Sequence, residues 1–315
     1  VSVISGPTVA DLPDVTRSRR ALAFGGLDIG GTKIAAALIN EAGEPAVFET
    51  VRTPVGVAAV LRAADELVDL LADQAADRDI SLASIGVGVP ELVDLAGAIV
   101  SEAVLPGLAD EDLVGRWSSG RRVVVESDVR AAALAEARIG AGQGHSSFAY
   151  VSVGTGISYC LVIDGEPWTG SDGGAILLGS AVMAECDGEP WVLEEMASGP
   201  ALLAHYRELG GALPTVAEVL RTQDRDPRAA AAIARAARAL GIGFSVVINL
   251  LDPAAIVVGG GLGSATGQLW DQTLRSAREH TYRDGARDTP IVQAHLGARA
   301  GAVGAALVGA RADVR

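Results

Sequence analysis

The sequence predicts a two-domain α/β protein. A length of 315 residues ordinarily makes two domains and buries substantial cores. Strand-like and helix-like stretches alternate along most of it. A strand–turn–strand unit with a Gly/Thr turn occurs twice, at Asp28–Lys33 and at Gly154–Gly156.

The elements follow in chain order. Apolar runs from Ala21 to Leu27 and from Ile34 to Ile39 flank Asp28-Ile29-Gly30-Gly31-Thr32-Lys33, a hairpin with a tight turn. A third strand is expected from Ala46 to Arg52, and Val57 to Gln74 carries apolar residues at helical spacing. Ser84 to Val89 reads as a compact strand ended by Pro90. After irregular chain from Val100 to Gly107, a short helix is expected from Glu111 to Trp117. A strand from Arg122 to Val125 then leads into an Ala-rich helix from Ala131 to Ile139. The second hairpin joins Phe148–Val153 to Ile157–Ile163 through Gly154-Thr155-Gly156, and Asp164-Gly165 is a further hairpin-turn dipeptide. Residues 216–249 read as largely helical up to the stop at Asp252-Pro253. A strand from Ala255 to Val258, the loop Gly259-Gly260-Gly261, a helix from Thr266 to His280 and a small-residue helix from Gly297 to Arg311 complete the chain.

Bulk chemistry narrows the function classes. A net charge of −14 and a pI near 4.7 argue against nucleic-acid binding, which wants a basic face. Two cysteines, Cys160 and Cys186, cannot build a disulfide framework and suit a reducing compartment. Residues before Ala21 are rich in Pro, Asp, Ser and Arg and lack a signal-peptide core, so a poorly ordered tail is expected over residues 1–20. Uncharged stretches such as Ala239 to Leu251 are short and glycine-broken, so no bilayer span is expected. A cytoplasmic location follows as an expectation. The four histidines, His145, His205, His280 and His295, have no metal-ligand spacing.

The Gly-rich turns carry the chemistry. Glycines let a backbone approach an anion and point N–H groups at it. Lys33 adds positive charge, and Asp28 is a candidate metal ligand, directly or through water. The turn is not a P-loop, because neither the GxxxxGK[ST] spacing nor a following helix is present. Alone, it reads equally as a simple hairpin turn. The second turn (Gly154, Thr155, Gly156) and the strand–helix loop (Gly259, Gly260, Gly261) shift the balance toward a nucleotide site.

Together these segments resemble the ROK family of sugar kinases and repressors, in the actin-like ATPase superfamily. DIGGTK and GTGIS look like the family's two phosphate motifs, and IVVGGGLG like its adenosine-side loop. The run from Asn249 to Pro253 and the small-residue helix from Gly297 to Ala306 also match, so the likeness extends from Ala21 to Ala306. The resemblance implies a two-lobed actin-like ATPase (ribonuclease H-like) fold with a nucleotide cleft between lobes. It places a small α/β lobe at residues 21–125 with the C-terminal helix 300–315, and a large α/β lobe at 126–299. It further implies a homodimer that transfers the γ-phosphoryl group of ATP, with Mg2+, to a sugar hydroxyl. Asp128, just before a helix, falls where the family has its general base; an ordinary N-cap residue is the other reading.

The acceptor side departs from the family pattern. The family's A-G-E-I-G-H is Ala175-Ile176-Leu177-Leu178-Gly179-Ser180 here, so Leu177 and Ser180 replace the glutamate and histidine that touch the sugar. The zinc motif that follows is lost, since Glu185, Asp187 and Val192 stand at its cysteine positions; zinc is not expected. Ser127 and Arg130 replace asparagines beside Asp128, Val104 replaces another, and Glu91 stands at the glycine of P-G-x-V-D. Candidate acceptor contacts are Ser127, Asp128, Arg130 and Glu194; Glu194 reads alternatively as a structural helix residue, and Arg130 as a surface group. Losing several hydroxyl-binding groups should abolish ordinary glucose recognition. An amino sugar, a modified sugar or a C7 cyclitol is the expected acceptor. A metabolite sensor without catalysis, or a hexose kinase with a rebuilt pocket, are the other readings.

Overall fold

The computed structural model describes residues 21–311. The expected N-terminal tail and the last four residues of the closing helix lie outside them. Two five-stranded sheets organise the chain. The first has the order β3-β2-β1-β4-β5, with β1 Leu22–Ile29, β2 Lys33–Asn40, β3 Pro45–Arg52, β4 Ser81–Val89 and β5 Arg122–Ser127. The second has the order β12-β11-β6-β7-β8, with β6 Ser147–Val153, β7 Ile157–Ile163, β8 Glu166–Pro167, β11 Ile256–Gly259 and β12 Ile291–Gln293. Each sheet begins with an antiparallel hairpin, and parallel strands join its first strand on the other side.

Helix placement follows from apolar periodicity. Helix α1 (Val57–Ala76) buries Val60, Leu61, Ala64, Leu67, Val68, Leu71 and Ala75, an i, i+4, i+7 stripe that packs on the first sheet. α2 is the short helix Leu113–Trp117. α3 (Asp128–Ile139) starts directly at the end of β5, three residues earlier than expected. The expected helical stretch 216–249 is two helices. α6 (Val216–Arg221) ends before Asp226, whose side chain caps α7 (Pro227–Leu251). α7 is long and apolar enough to cross a bilayer by length and composition alone, and 67% of its apolar window is buried within this protein's own core.

The acceptor-side segment is rebuilt as local structure. β9 (Val182–Cys186) and β10 (Glu189–Val192) form a separate antiparallel hairpin turned by Asp187 and Gly188, both at positive φ. α4 (Leu193–Ala197) and α5 (Gly199–Glu208) follow, then later α8 (Gln268–His280).

The last helix, α9 (Ala300–Arg311), returns to the first sheet and packs on β1, β2, β4 and α3. Its contacts are close because glycines face it. A methyl on Gly26 would overlap the Ala302 carbonyl, one on Gly86 that of Ala305, and one on Gly304 that of Ala131. Dispersion contacts at this range need backbone against backbone, which side chains beyond alanine would prevent.

Candidate active site

Strand register brings the chemistry to one edge of the first sheet. Asp28 of β1 pairs with Gly88 of β4, and Gly88 pairs with Glu126 of β5. The chain turns into α3 two residues after Glu126, so Asp28 and Asp128 lie at the carboxyl ends of β1 and β5, the two parallel strands that flank β4. Gly88 separates them, and a methyl there would stand 3.6 Å from the Asp128 Cα.

Both carboxylates are perturbed. Burial pushes the Asp28 carboxyl up to about 6, against the opposing pull of the Lys33 charge. Burial pushes Asp128 up to about 7, with a further rise from the Asp28 charge and a smaller one from Glu91. A backbone hydrogen bond from Val129, 2.6 Å, and the Arg130 charge oppose that rise. An Asp with a pKa near neutrality beside a second carboxylate is the kind of group that acid–base chemistry uses.

The first Gly-rich turn is open. The Gly30 N–H donates to the Lys33 carbonyl and Thr53 Oγ1 donates to the Gly30 carbonyl, which fixes the turn, while Gly31 and Thr32 are exposed. Lys33 Nζ lies 3.4 Å from the Ala298 carbonyl, just ahead of α9. Asp28 Oδ2 meets the Gly301 backbone so closely that a methyl there would overlap it.

The second and third motifs meet at the matching edge of the other sheet. β6 and β11 are parallel, with Gly259 opposite Ser152, so Gly154–Gly156 and Gly259–Gly261 leave the sheet side by side. The Val153 carbonyl accepts from both Leu262 and Gly263, and Gly260, at φ +83°, has no room for a side chain against it. A methyl on Gly154 would be 3.8 Å from the Gly261 nitrogen. Thr155, Gly156 and Gly261 are exposed.

Acceptor-side residues divide. Glu194 is half-buried, and its Oε2 accepts from the Ile157 N–H at 2.6 Å, which joins α4 to the second Gly-rich turn. Ser127 is fully buried with an Oγ that has no hydrogen-bond partner. Arg130, expected toward the acceptor or at the surface, is only 2% exposed. Its Nε donates to Glu126, its Nη1 to the Gly173 carbonyl and its Nη2 to the Val93 carbonyl, at 2.6, 2.5 and 2.7 Å. The guanidinium therefore clamps three segments of the protein and is ion-paired with Glu126; its burial corrects the surface reading, and its donors are spent within the protein. Leu177 and Val104 are exposed apolar side chains.

Glu91 was not among the expected site residues. It follows β4 at the same sheet edge, is 2% exposed, and accepts hydrogen bonds from Ser101, Ala103, Val104 and Leu105. The available signal was a carboxylate standing at a glycine of the family pattern.

Among the described residues, no group of three or more His, Cys, Asp or Glu side chains is placed to hold a metal ion. Asp28 nevertheless fits Mg2+ chemically: it is a buried oxygen ligand with the Lys33 charge only partly offsetting its desolvation, and Mg2+ commonly takes one or two carboxylates plus substrate phosphates.

Known proteins share this arrangement. A glucokinase of Streptomyces coelicolor is 29% identical over 308 residues, covering 89% of this chain and 95% of its own. A kanosamine kinase of Amycolatopsis mediterranei is 29% identical over 284 residues, covering 86% and 91%. The crystal structure of a ROK family glucokinase from Streptomyces griseus in complex with glucose and AMPPNP superposes with a TM-score of 0.79 at 27% identity, covering 91% of this chain and 98% of that one. The two sheets and their cleft-edge turns are thus a two-lobed actin-like ATPase fold. The pattern of the ROK family matches residues 24–311, and the chain belongs to that family.

Proposed function

We propose that this ATP-dependent carbohydrate kinase moves the γ-phosphoryl group of ATP to a hydroxyl of an amino sugar, a modified sugar or a C7 cyclitol, with Asp128 as general base. One observation carries the reading: Asp128, pushed up to about 7, stands beside Asp28 where β5 ends and α3 begins. Phosphoryl transfer asks for positioning, charge neutralisation and an acceptor for one proton. Asp128 is suited to take the proton from the attacking hydroxyl. The exposed residues Gly31, Thr32, Thr155 and Gly156, with their backbone N–H groups and Thr hydroxyls, are suited to the ATP phosphates. Mg2+ held at Asp28 would supply positive charge to those phosphates.

The acceptor class is supported by what lines its side. Leu177 offers an apolar contact where the family pattern has a glutamate, and the Arg130 donors are committed to the protein. That leaves few groups to satisfy a full ring of hydroxyls, which disfavours glucose. The kanosamine kinase among the relatives supports an amino sugar.

Steady-state ATP turnover over a panel of hexoses, amino sugars and cyclitols, repeated with Asp128→Asn, tests the proposal. The expected result is acceptor-dependent ADP release with an amino sugar or cyclitol, lost in the variant. ATP binding without any phosphorylated acceptor would replace it with the sensor reading.

A further inference from the structure

Glu91 is a buried carboxylate whose bonding capacity is spent on one loop. Oε2 accepts from Ser101 Oγ at 2.5 Å and from the Ala103 N–H at 2.9 Å; Oε1 accepts from the Val104 and Leu105 N–H groups at 2.7 and 2.8 Å. Ser101 Oγ accepts in turn from the Leu92 N–H at 2.8 Å, so both ends of the loop close on the residue pair that follows Pro90. Burial works against the charge, yet the hydrogen bonds from Ser101 and from the Leu105, Val104 and Ala103 backbone hold the carboxyl below its ordinary range.

This loop reaches the donor turn. Val104 Cγ1 would be 2.9 Å from a methyl placed on Gly31, so the valine side chain touches one side of the glycine in the middle of the phosphate turn while both stay partly open to solvent. Glu91 itself leaves the end of β4, between the strands that end in Asp28 and Asp128. One side chain thus stands at the base of the reacting pair and, through three consecutive N–H groups, fixes what lies on the turn. The Glu91 end of this arrangement is buried, and packed groups there have few alternative positions.

We propose that Glu91 is a positioning residue, which holds Ala103–Leu105 so that Val104 locks the Gly30–Thr32 turn in the geometry needed for transfer. The proposal rests on the kinase reading only for its kinetic consequence. Glu91→Gln replaces one acceptor oxygen with a donor that faces backbone N–H groups, and so releases the loop. Val104→Ala leaves Glu91 and its hydrogen bonds intact and removes only the contact with Gly31.

Two measurements test it. Amide hydrogen exchange on the acceptor-free chain is expected to speed up at least 10-fold at Ala103–Leu105 in Glu91→Gln, and in both variants at Gly30, whose N–H donates to the Lys33 carbonyl across the turn. Exchange at the turn that stays at the wild-type rate in both variants overturns the proposal, whether or not any acceptor is phosphorylated. With an acceptor in hand, kcat is expected to fall about 10- to 100-fold in Glu91→Gln, with ATP affinity within about threefold. The Glu91→Gln and Val104→Ala effects on kcat should be less than additive, since both act through one contact. Additive losses, or a loss confined to thermal stability with kcat unchanged, would also overturn it. If Glu91→Gln fails to fold, exchange at the turn in Val104→Ala decides.

Discussion

The negative charge of Asp28 raises the pKa of Asp128 across Gly88, second only to burial as a cause. Both carboxyls bind protons more readily in the folded chain, at about 6 and about 7, than at their ordinary value of 3.8. Folded-state pKa values above the unfolded ones mean that the folded state holds more protons between about pH 4 and pH 7. The pair's contribution to stability is therefore full below about pH 4, declines as pH rises through 6 and 7, and is gone above. Asp128→Asn should stabilise the free protein at pH 8 relative to pH 5, by on the order of 2 kcal/mol. Urea denaturation midpoints of wild type and variant at the two pH values measure this. An equal effect at both would refute the coupling.

The same residue sets the pH profile of transfer. A general base works ionised, so kcat/KM for the acceptor should rise with pH through about 7 and level off above it. Asp128→Asn should lower kcat about 10²- to 10⁴-fold while calorimetric ATP binding stays within a fewfold. A flat profile between pH 5 and pH 8 in wild type would remove Asp128 from that role.

Arg130 supports the site from behind. Breaking a buried ion pair by removing one partner typically costs about 3–5 kcal/mol, and here the Val93 and Gly173 carbonyls lose their donors as well. Arg130→Met should cost that much in chemical denaturation. Lysine should not restore it, because one ammonium cannot span three separated acceptors. A loss under about 1 kcal/mol with a changed acceptor KM would return Arg130 to the ligand side.

Leu177 and Ser180 give the acceptor test in reverse. Installing the family's polar pair, Leu177→Glu with Ser180→His, should raise kcat/KM for glucose about 10-fold or more. No gain toward any hexose would show that the rest of the pocket excludes them.

Packing of α9 makes a prediction about stability alone. Gly304→Ala forces a methyl against the Ala131 carbonyl and should cost about 1–3 kcal/mol. Gly285→Ala, with nothing within 4 Å, should stay within about 0.5 kcal/mol. Equal denaturation midpoints for the two variants would contradict the close packing.

The donor half was legible because its signals are local. Gly30-Gly31, Gly154-Thr155-Gly156 and Gly259-Gly260-Gly261 each sit between periodic stretches, and their turn chemistry needs no distant partner. The long helices were legible as apolar stripes, although the break at Asp226-Pro227 between α6 and α7 was read through. Asp187-Gly188 carries the same hairpin dipeptide as Asp164-Gly165 and turns β9 into β10. Arg130 and Glu91 stood out as departures from the family pattern, but their bonding partners were not legible. A charge is buried only when chain distant in sequence supplies its partners: Gly173 and Val93 for Arg130, Ser101 to Leu105 for Glu91. No window of sequence contains that information.

The return of α9 to the first sheet also orders events during synthesis. Lys33 and the Ala298 carbonyl that it meets are 265 residues apart in the chain. Contacts of such high sequence separation form late, and a growing chain emerges at about 5–20 residues per second. The glycine-paved face of β1 and β4 therefore waits uncovered on the ribosome while the entire second sheet is made. Docking of α9 is expected to be the last step that completes the first sheet.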